Sequence, residues 1–181
     1  NSIGPSLDEE PATPVSRFSR TSTQSKTMIS ETLNLTRLFI ETYQGQAGKK
    51  AGSERIRESI HRELQLNAEL VAEAHKVRIT QPRLADGLVA RMSLQSFDAL
   101  TAAGLPLTKI FPARWDRSMS ISQKYRNQFQ NIESISGLIE RTYHRIRIQQ
   151  IRVEVGQEKD SRSLGYLKIL VANAAQATRP V

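Results

Sequence analysis

Seven apolar residues, Tyr125, Phe129, Ile132, Ile135, Ile139, Tyr143 and Ile146, follow one another at steps of four, three, three, four, four and three. Such steps return to one side of a helix, so the pattern predicts a long amphipathic helix whose nearly heptad-like stripe needs partner helices to cover it. Just upstream, Ser120-Ile121-Ser122-Gln123 has the spacing of a capping box and sets the expected start of that helix. Beyond Tyr143 the pattern changes. Arg145-Ile146-Arg147-Ile148 alternates, and Ile151, Val153 and Val155 alternate in the opposite phase, as a strand would. Helical continuation to about Val153 is preferred over a strand in 145–155, because the preceding stripe is strong and one isolated strand has nothing to pair with.

Partner helices are at hand. Over residues 54–78, Ile56, Ile60, Leu64, Val71 and Ala74 fall in step, with Asn67 on the same face, Ser53 as the expected N-cap and Pro82 as the stop. Glu54, Arg55, Arg57, Glu58, Arg62 and Glu63 read as a solvated face carrying charge pairs. A first helix is expected from about Lys26 to Gln44, presenting Ile29, Leu33, Leu38 or Phe39, Ile40 and Tyr43, before Gly45, Gly48 and Gly52 break it as a flexible turn. Ser93 through Ala103 reads as a compact helix with a serine cap, Leu94, Phe97 and Leu100 on one side, and Gly104 in a left-handed cap position. Leu105 to Pro112 reads as a buried connector, and the single tryptophan, Trp115, as a ring packed against helices rather than a ligand platform. The last element, Arg162 to about Ala177, would bury Leu164, Leu167, Leu170, Val171 and Ala174.

The expected fold class is therefore all-α: a helical bundle of about four main helices with short crossover helices and an extended N-terminal arm. Residues 1–26 are the arm and 27–178 a single helical domain. The arm contains Pro5, Pro11 and Pro14, the acidic cluster Asp8-Glu9-Glu10, and little to bury. Within it Arg17, Phe18 and Arg20 set an aromatic between two cations, an arm contact for a partner; a solvated tail is the plainer reading.

Composition removes much chemistry. The 181 residues contain no cysteine, which excludes disulfides, thiolate zinc sites, iron–sulfur clusters and cysteine nucleophiles. With 38% hydrophobic and 24% charged residues and a mean hydropathy of -0.45, the expectation is a soluble globular chain with no transmembrane segment. Because the first residue is Asn1, a processed chain or fragment is expected, whose upstream signal or anchor would not be seen. The compartment stays unassigned, with the cytoplasm slightly favoured.

No hydrolase, kinase or zinc-protease pattern occurs, and no Ser/His/Asp grouping stands out by spacing. Gly45-Gln46-Ala47-Gly48-Lys49-Lys50 lacks the strand, the glycine spacing and the hydroxyl of a phosphate-binding loop. Glu58 and His61 have the Glu-x-x-His spacing of carboxylate-bridged di-iron bundles, but the nearest second pair, Glu140 and His144, is spaced by four. No catalytic, cofactor or metal residues are assigned, and the chain is expected not to be an enzyme.

Charge is the remaining signal. The chain has 26 basic against 18 acidic residues, and residues 113–181 hold +6 of the net +8; eighteen of the cations are arginine. On a continuous helix Arg141, Arg145 and Arg152 would form one basic edge with His144 and Arg147 beside it, a surface for an anion or a partner. The leading expectation is a non-catalytic helical interaction or scaffold domain, part of a larger assembly, with a protein partner or self-association. A nucleic-acid-associated accessory protein using the Arg-rich helix is the alternative, and the soluble part of a membrane-anchored protein is another.

Overall fold

The computed structural model describes residues 30, 33–41, 49–156 and 161–180, and it is mostly helical. In chain order the elements are α1 (33–41), α2 (Lys49–Val77), α3 (Pro82–Ala90), α4 (Gln95–Ala102) and α5 (Leu107–Ile110). Two 3-10 segments, Arg117–Met119 and Gln123–Phe129, lead to α6 (Ile135–Glu154) and α7 (Ser161–Ala177). Among the described residues extended backbone pairs only at an isolated antiparallel bridge between Arg114 and Ser134. None of the described helices is long and apolar enough to cross a membrane. The expected arm, with Arg17, Phe18 and Arg20, lies outside the described residues.

Helix α2 is the axis of the fold. The expected stripe Ile56, Ile60, Leu64, Asn67, Val71 and Ala74 is fully buried, as are Leu164, Leu167, Leu170, Val171 and Ala174 of α7, the helix α2 packs against most extensively. Two apolar clusters result. One joins the first half of α2 (Ile56, Ile60, Leu64) to α4, α5, the 111–132 connector and the first half of α6. The other joins the second half of α2 (Val71, Ala74) to α3, Ile146 of α6 and Leu164 and Leu167 at the start of α7. Helix α1 contributes Phe39, while Leu38 is half exposed, which settles the choice between them.

Two boundaries depart from the expected ones. Helix α2 starts at Lys49 instead of after Ser53: Gly52 is buried inside its first turn, so packing outweighs the roughly 1 kcal/mol by which glycine disfavours helix. The long helix starts at Ile135, not at the 120–123 capping-box sequence. Ser120 and Ile121 are held by α7 instead, where Asn173 Nδ2 donates to Ser120 Oγ at 3.2 Å and its Oδ1 accepts from the Ile121 amide at 2.9 Å. The 3-10 segment ends at Phe129 and the backbone of 130–134 is not helical, with Ser134 bridged to Arg114, so the apolar period runs on across residues where the helix is interrupted. The true cap is Ser134, whose Oγ accepts from the Gly137 amide at 3.1 Å. Residues 145–154 are helical, as expected over a strand, and α6 ends at Glu154, at about the expected Val153.

The α4 terminus follows its sequence closely. Gly104 has φ +65, its amide donates to Thr101 O at 3.0 Å, and the Leu105 amide donates to Leu100 O at 3.2 Å, the two bonds of a Schellman cap. Trp115 packs edge-on against Phe129, with ring centroids 5.6 Å apart, consistent with its structural reading.

Candidate functional site

Successive helical residues turn by about 100°, so on α6 Arg141, Arg145 and Arg152 lie within about 40° of one another, whereas Arg147 is turned about 160° from Arg145. The structure splits the expected basic surface along that line. Arg145 and Arg152 line a cavity of about 660 Å³, together with Lys124, Tyr125 and Gln128 of the second 3-10 segment and Ser163 and Tyr166 of α7. Arg147 reaches the opposite way and grips Asp98 of α4 with two bonds of 2.7 and 2.8 Å. Arg141 is half-buried and His144 exposed, and neither lines the cavity.

Three local features shape this cavity. Gly165 brings α7 close to its neighbours: a Cβ there would stand 3.1 Å from Tyr125 Oη and 3.5 Å from His75 Nε2. The aromatic rings are already covered, because Tyr166 stacks on Phe129 at 5.8 Å and lies 5.5 Å beneath the Arg145 guanidinium, while Lys124 sits 5.6 Å over Tyr125. Ser163 Oγ accepts from Gln149 Nε2 at 2.5 Å and from Arg152 at 3.3 Å.

Tyr166 is 8% exposed, and its hydroxyl is buried with no hydrogen-bond partner among the described residues. Leaving a buried hydroxyl unpaired costs about 1–3 kcal/mol, so the group invites an explanation. No carboxylate occurs among the described lining residues. Three cations, the Ser163 side chain and the N-terminal turn of α7 with its positive dipole end form a concavity suited to an anion.

The other edge of α6 shows the contrary arrangement. Tyr143, Arg147 and Gln150 lie within about 60° of each other and all have partners. Tyr143 Oη donates to Glu63 Oε1 at 2.6 Å, and Gln150 Nε2 donates to Met92 O at 2.8 Å. Glu63 Oε2 accepts from Ser93 Oγ and from the Ser96 amide, both at 2.8 Å, so a side chain of α2 caps the start of α4. Asn67 completes the clasp by bonding both the amide and the carbonyl of Ser93. Burial, with Glu63 beside it, raises the Tyr143 phenol well above its ordinary range.

Sequence reasoning placed Glu63 on the solvated face, yet it is buried. The available signal was its position three residues after Ile60 and directly before Leu64, at the border of the apolar stripe. Lys124, Ser163 and Tyr166 carried no signal of their own.

The Glu-x-x-His pair does not converge. Glu58 pairs with Arg62, and His61 Nδ1 lies 3.1 Å from Thr178 Oγ1. Among the described residues no three of His, Asp and Glu come together as metal ligands. A second concavity, about 760 Å³, lies where α2 starts and α5 and α7 end, but its lining mixes Glu54 and Glu58 with Arg55, Arg57 and Arg179, and Arg57 is occupied by Ile110 O at 2.6 Å. Comparison with known proteins adds no kinship: the chain matches no protein-family model, no curated protein and no solved structure.

Proposed function

We propose that this chain is a non-catalytic helical interaction domain that recognises an anionic partner through the α6–α7 face and works as part of a larger assembly. One observation carries the reading: Arg145, Arg152 and Lys124, from two segments distant in sequence, meet at one cavity with no carboxylate among its described lining. Like charges gathered with no carboxylate among the described lining repel each other, and an anionic partner relieves that repulsion. The excess of positive charge in residues 113–181 would steer such a partner toward this half of the molecule.

Nucleic acid is the second reading, favoured by the arginine forks, which match phosphate oxygens. Light scattering after size exclusion, with a duplex, a single strand and an acidic peptide at low and physiological salt, tests both. A complex that weakens steeply with salt and is lost in the Arg145→Glu, Arg152→Glu double variant supports the face. A complex indifferent to that variant would remove it, and binding by the acidic peptide alone would exclude the nucleic-acid reading.

A further inference from the structure

Resting on the reading of this cavity as an anion site, we infer that its ligand is a compact molecule carrying two or more linked phosphate groups. The volume of about 660 Å³ falls in the range of small-molecule sites, and a concavity of that size takes a folded or short ligand better than a running polymer. Arg145 and Arg152 leave α6 two turns apart, about 10.5 Å along the axis, with Lys124 facing them from the 3-10 segment. Charges spread over that length suit a row of oxyanions rather than one.

The donor set favours phosphate over a lone carboxylate. A carboxylate offers two oxygens in one plane, whereas phosphate offers acceptors in tetrahedral directions. That geometry accommodates the guanidinium groups of Arg145 and Arg152 together with Lys124 from a second segment. The start of α7 points its dipole at the same region, as in other phosphate sites at helix N-termini.

Base stacking contributes little here. Tyr166 already packs against Phe129 and under Arg145, and Lys124 lies over Tyr125, so protein groups already engage the rings at which a nucleobase would stack. Recognition therefore falls on the phosphates and not on a base sequence.

Calorimetric titration of the full chain with inorganic triphosphate, orthophosphate and sulfate tests this, alongside competition between triphosphate and a single-stranded oligonucleotide. Triphosphate should bind about tenfold or more tightly than orthophosphate, and Arg145→Gln and Arg152→Gln should each weaken it by about tenfold or more. Lys124→Gln is the sharper variant, because Lys124 reaches the cavity from a different segment and is exposed. It should lower triphosphate affinity by about fivefold or more while leaving the thermal midpoint unchanged. Unchanged triphosphate affinity in Lys124→Gln and in both arginine variants would overturn the inference. If the oligonucleotide binds through Arg145 and Arg152 but triphosphate neither binds nor competes, the compact ligand is wrong and the anionic face stands. If no anion, acidic peptide included, binds at all, both fall.

Discussion

The two edges of α6 use the same kinds of residue to opposite ends. On one, Tyr143, Arg147 and Gln150 meet Glu63, Asp98 and the Met92 carbonyl, and each polar group is matched. On the other, Arg145 and Arg152 stand with Lys124 around a cavity, and Tyr166 keeps a buried hydroxyl that nothing described satisfies. Arg145 and Arg147 are two residues apart, yet one lies over a tyrosine ring and the other clamps a carboxylate. Residue type therefore does not separate a structural arginine from an available one; the element it faces does. A matched edge holds helices together, and an unmatched one has donors left for something else.

The largest test of that contrast is Glu63→Ala. It strands the Tyr143 hydroxyl, the Ser93 hydroxyl and the Ser96 amide at once, and should lower stability by about 4 kcal/mol. In a chain of this length that corresponds to a midpoint drop of about 10 °C. Arg145→Gln, on the other edge, should change stability by no more than about 0.5 kcal/mol. Urea denaturation of the two variants side by side measures both, and equal losses would erase the distinction between the edges.

The tyrosines repeat the contrast on a smaller scale. Tyr143→Phe removes the donor to a buried carboxylate and should cost about 2 kcal/mol, whereas Tyr166→Phe removes an unpaired hydroxyl and should be neutral or stabilising by up to about 1 kcal/mol. Thermal unfolding followed by circular dichroism reports both. A loss in Tyr166→Phe as large as that in Tyr143→Phe would mean that its hydroxyl is already satisfied within the fold.

How far the sequence reached follows the same division. Periodicity reports which side of a helix is apolar, so it located the buried faces of α2 and α7 residue by residue. It also placed Arg141, Arg145 and Arg152 on one edge. It does not report what lies across from an edge, and so it grouped Arg147 with them, although Asp98 holds that side chain on the other side. The cavity needs Lys124, Ser163 and Tyr166, which come from two further segments and join α6 only through the tertiary fold. Glu63 escaped for a related reason: charge argues for solvent, and only the convergence of Ser93, Ser96 and Tyr143 makes its burial tolerable. The misplaced start of α6 is different in kind, since the apolar steps continue through residues 130–134, which are not helical, and spacing alone does not show that the helix is interrupted there.

A smaller difference should appear between Arg147→Gln and Arg145→Gln. The Arg147–Asp98 pair is bidentate but about half exposed, at 52% and 42%, so its loss should cost about 0.5–1 kcal/mol, and raising the salt concentration should shrink that figure. Arg145→Gln should show the reverse salt trend, because salt already screens its repulsion from Arg152 and Lys124. Paired urea titrations at low and high salt measure the two trends, and parallel trends would count against an unmatched edge.

The edges also differ in the pH at which each loses stability. Burial, then the charges of Lys168 and Arg78, lower the His75 pKa from 6.5; His75 packs beside Gly165 behind the cavity. A histidine with a lowered folded pKa binds its proton more readily when unfolded, so its contribution is full above about pH 6.5 and is lost as the pH falls below it. Tyr143 has the opposite sign. Its phenol is raised from 10.0 by burial and then by Glu63, so the folded state keeps a proton that the unfolded chain releases, and stability is lost as the pH rises above about 10. His75→Gln should flatten the acid side of the stability profile and leave the alkaline side alone; Tyr143→Phe should do the converse. Burial also lowers His61, the Arg179 charge adding to the effect, so His75→Gln should remove only part of the acid slope, and the His61→Gln, His75→Gln double variant should remove more. An acid slope that survives the double variant undiminished would show that the basic side of the molecule does not disfavour protonated histidine.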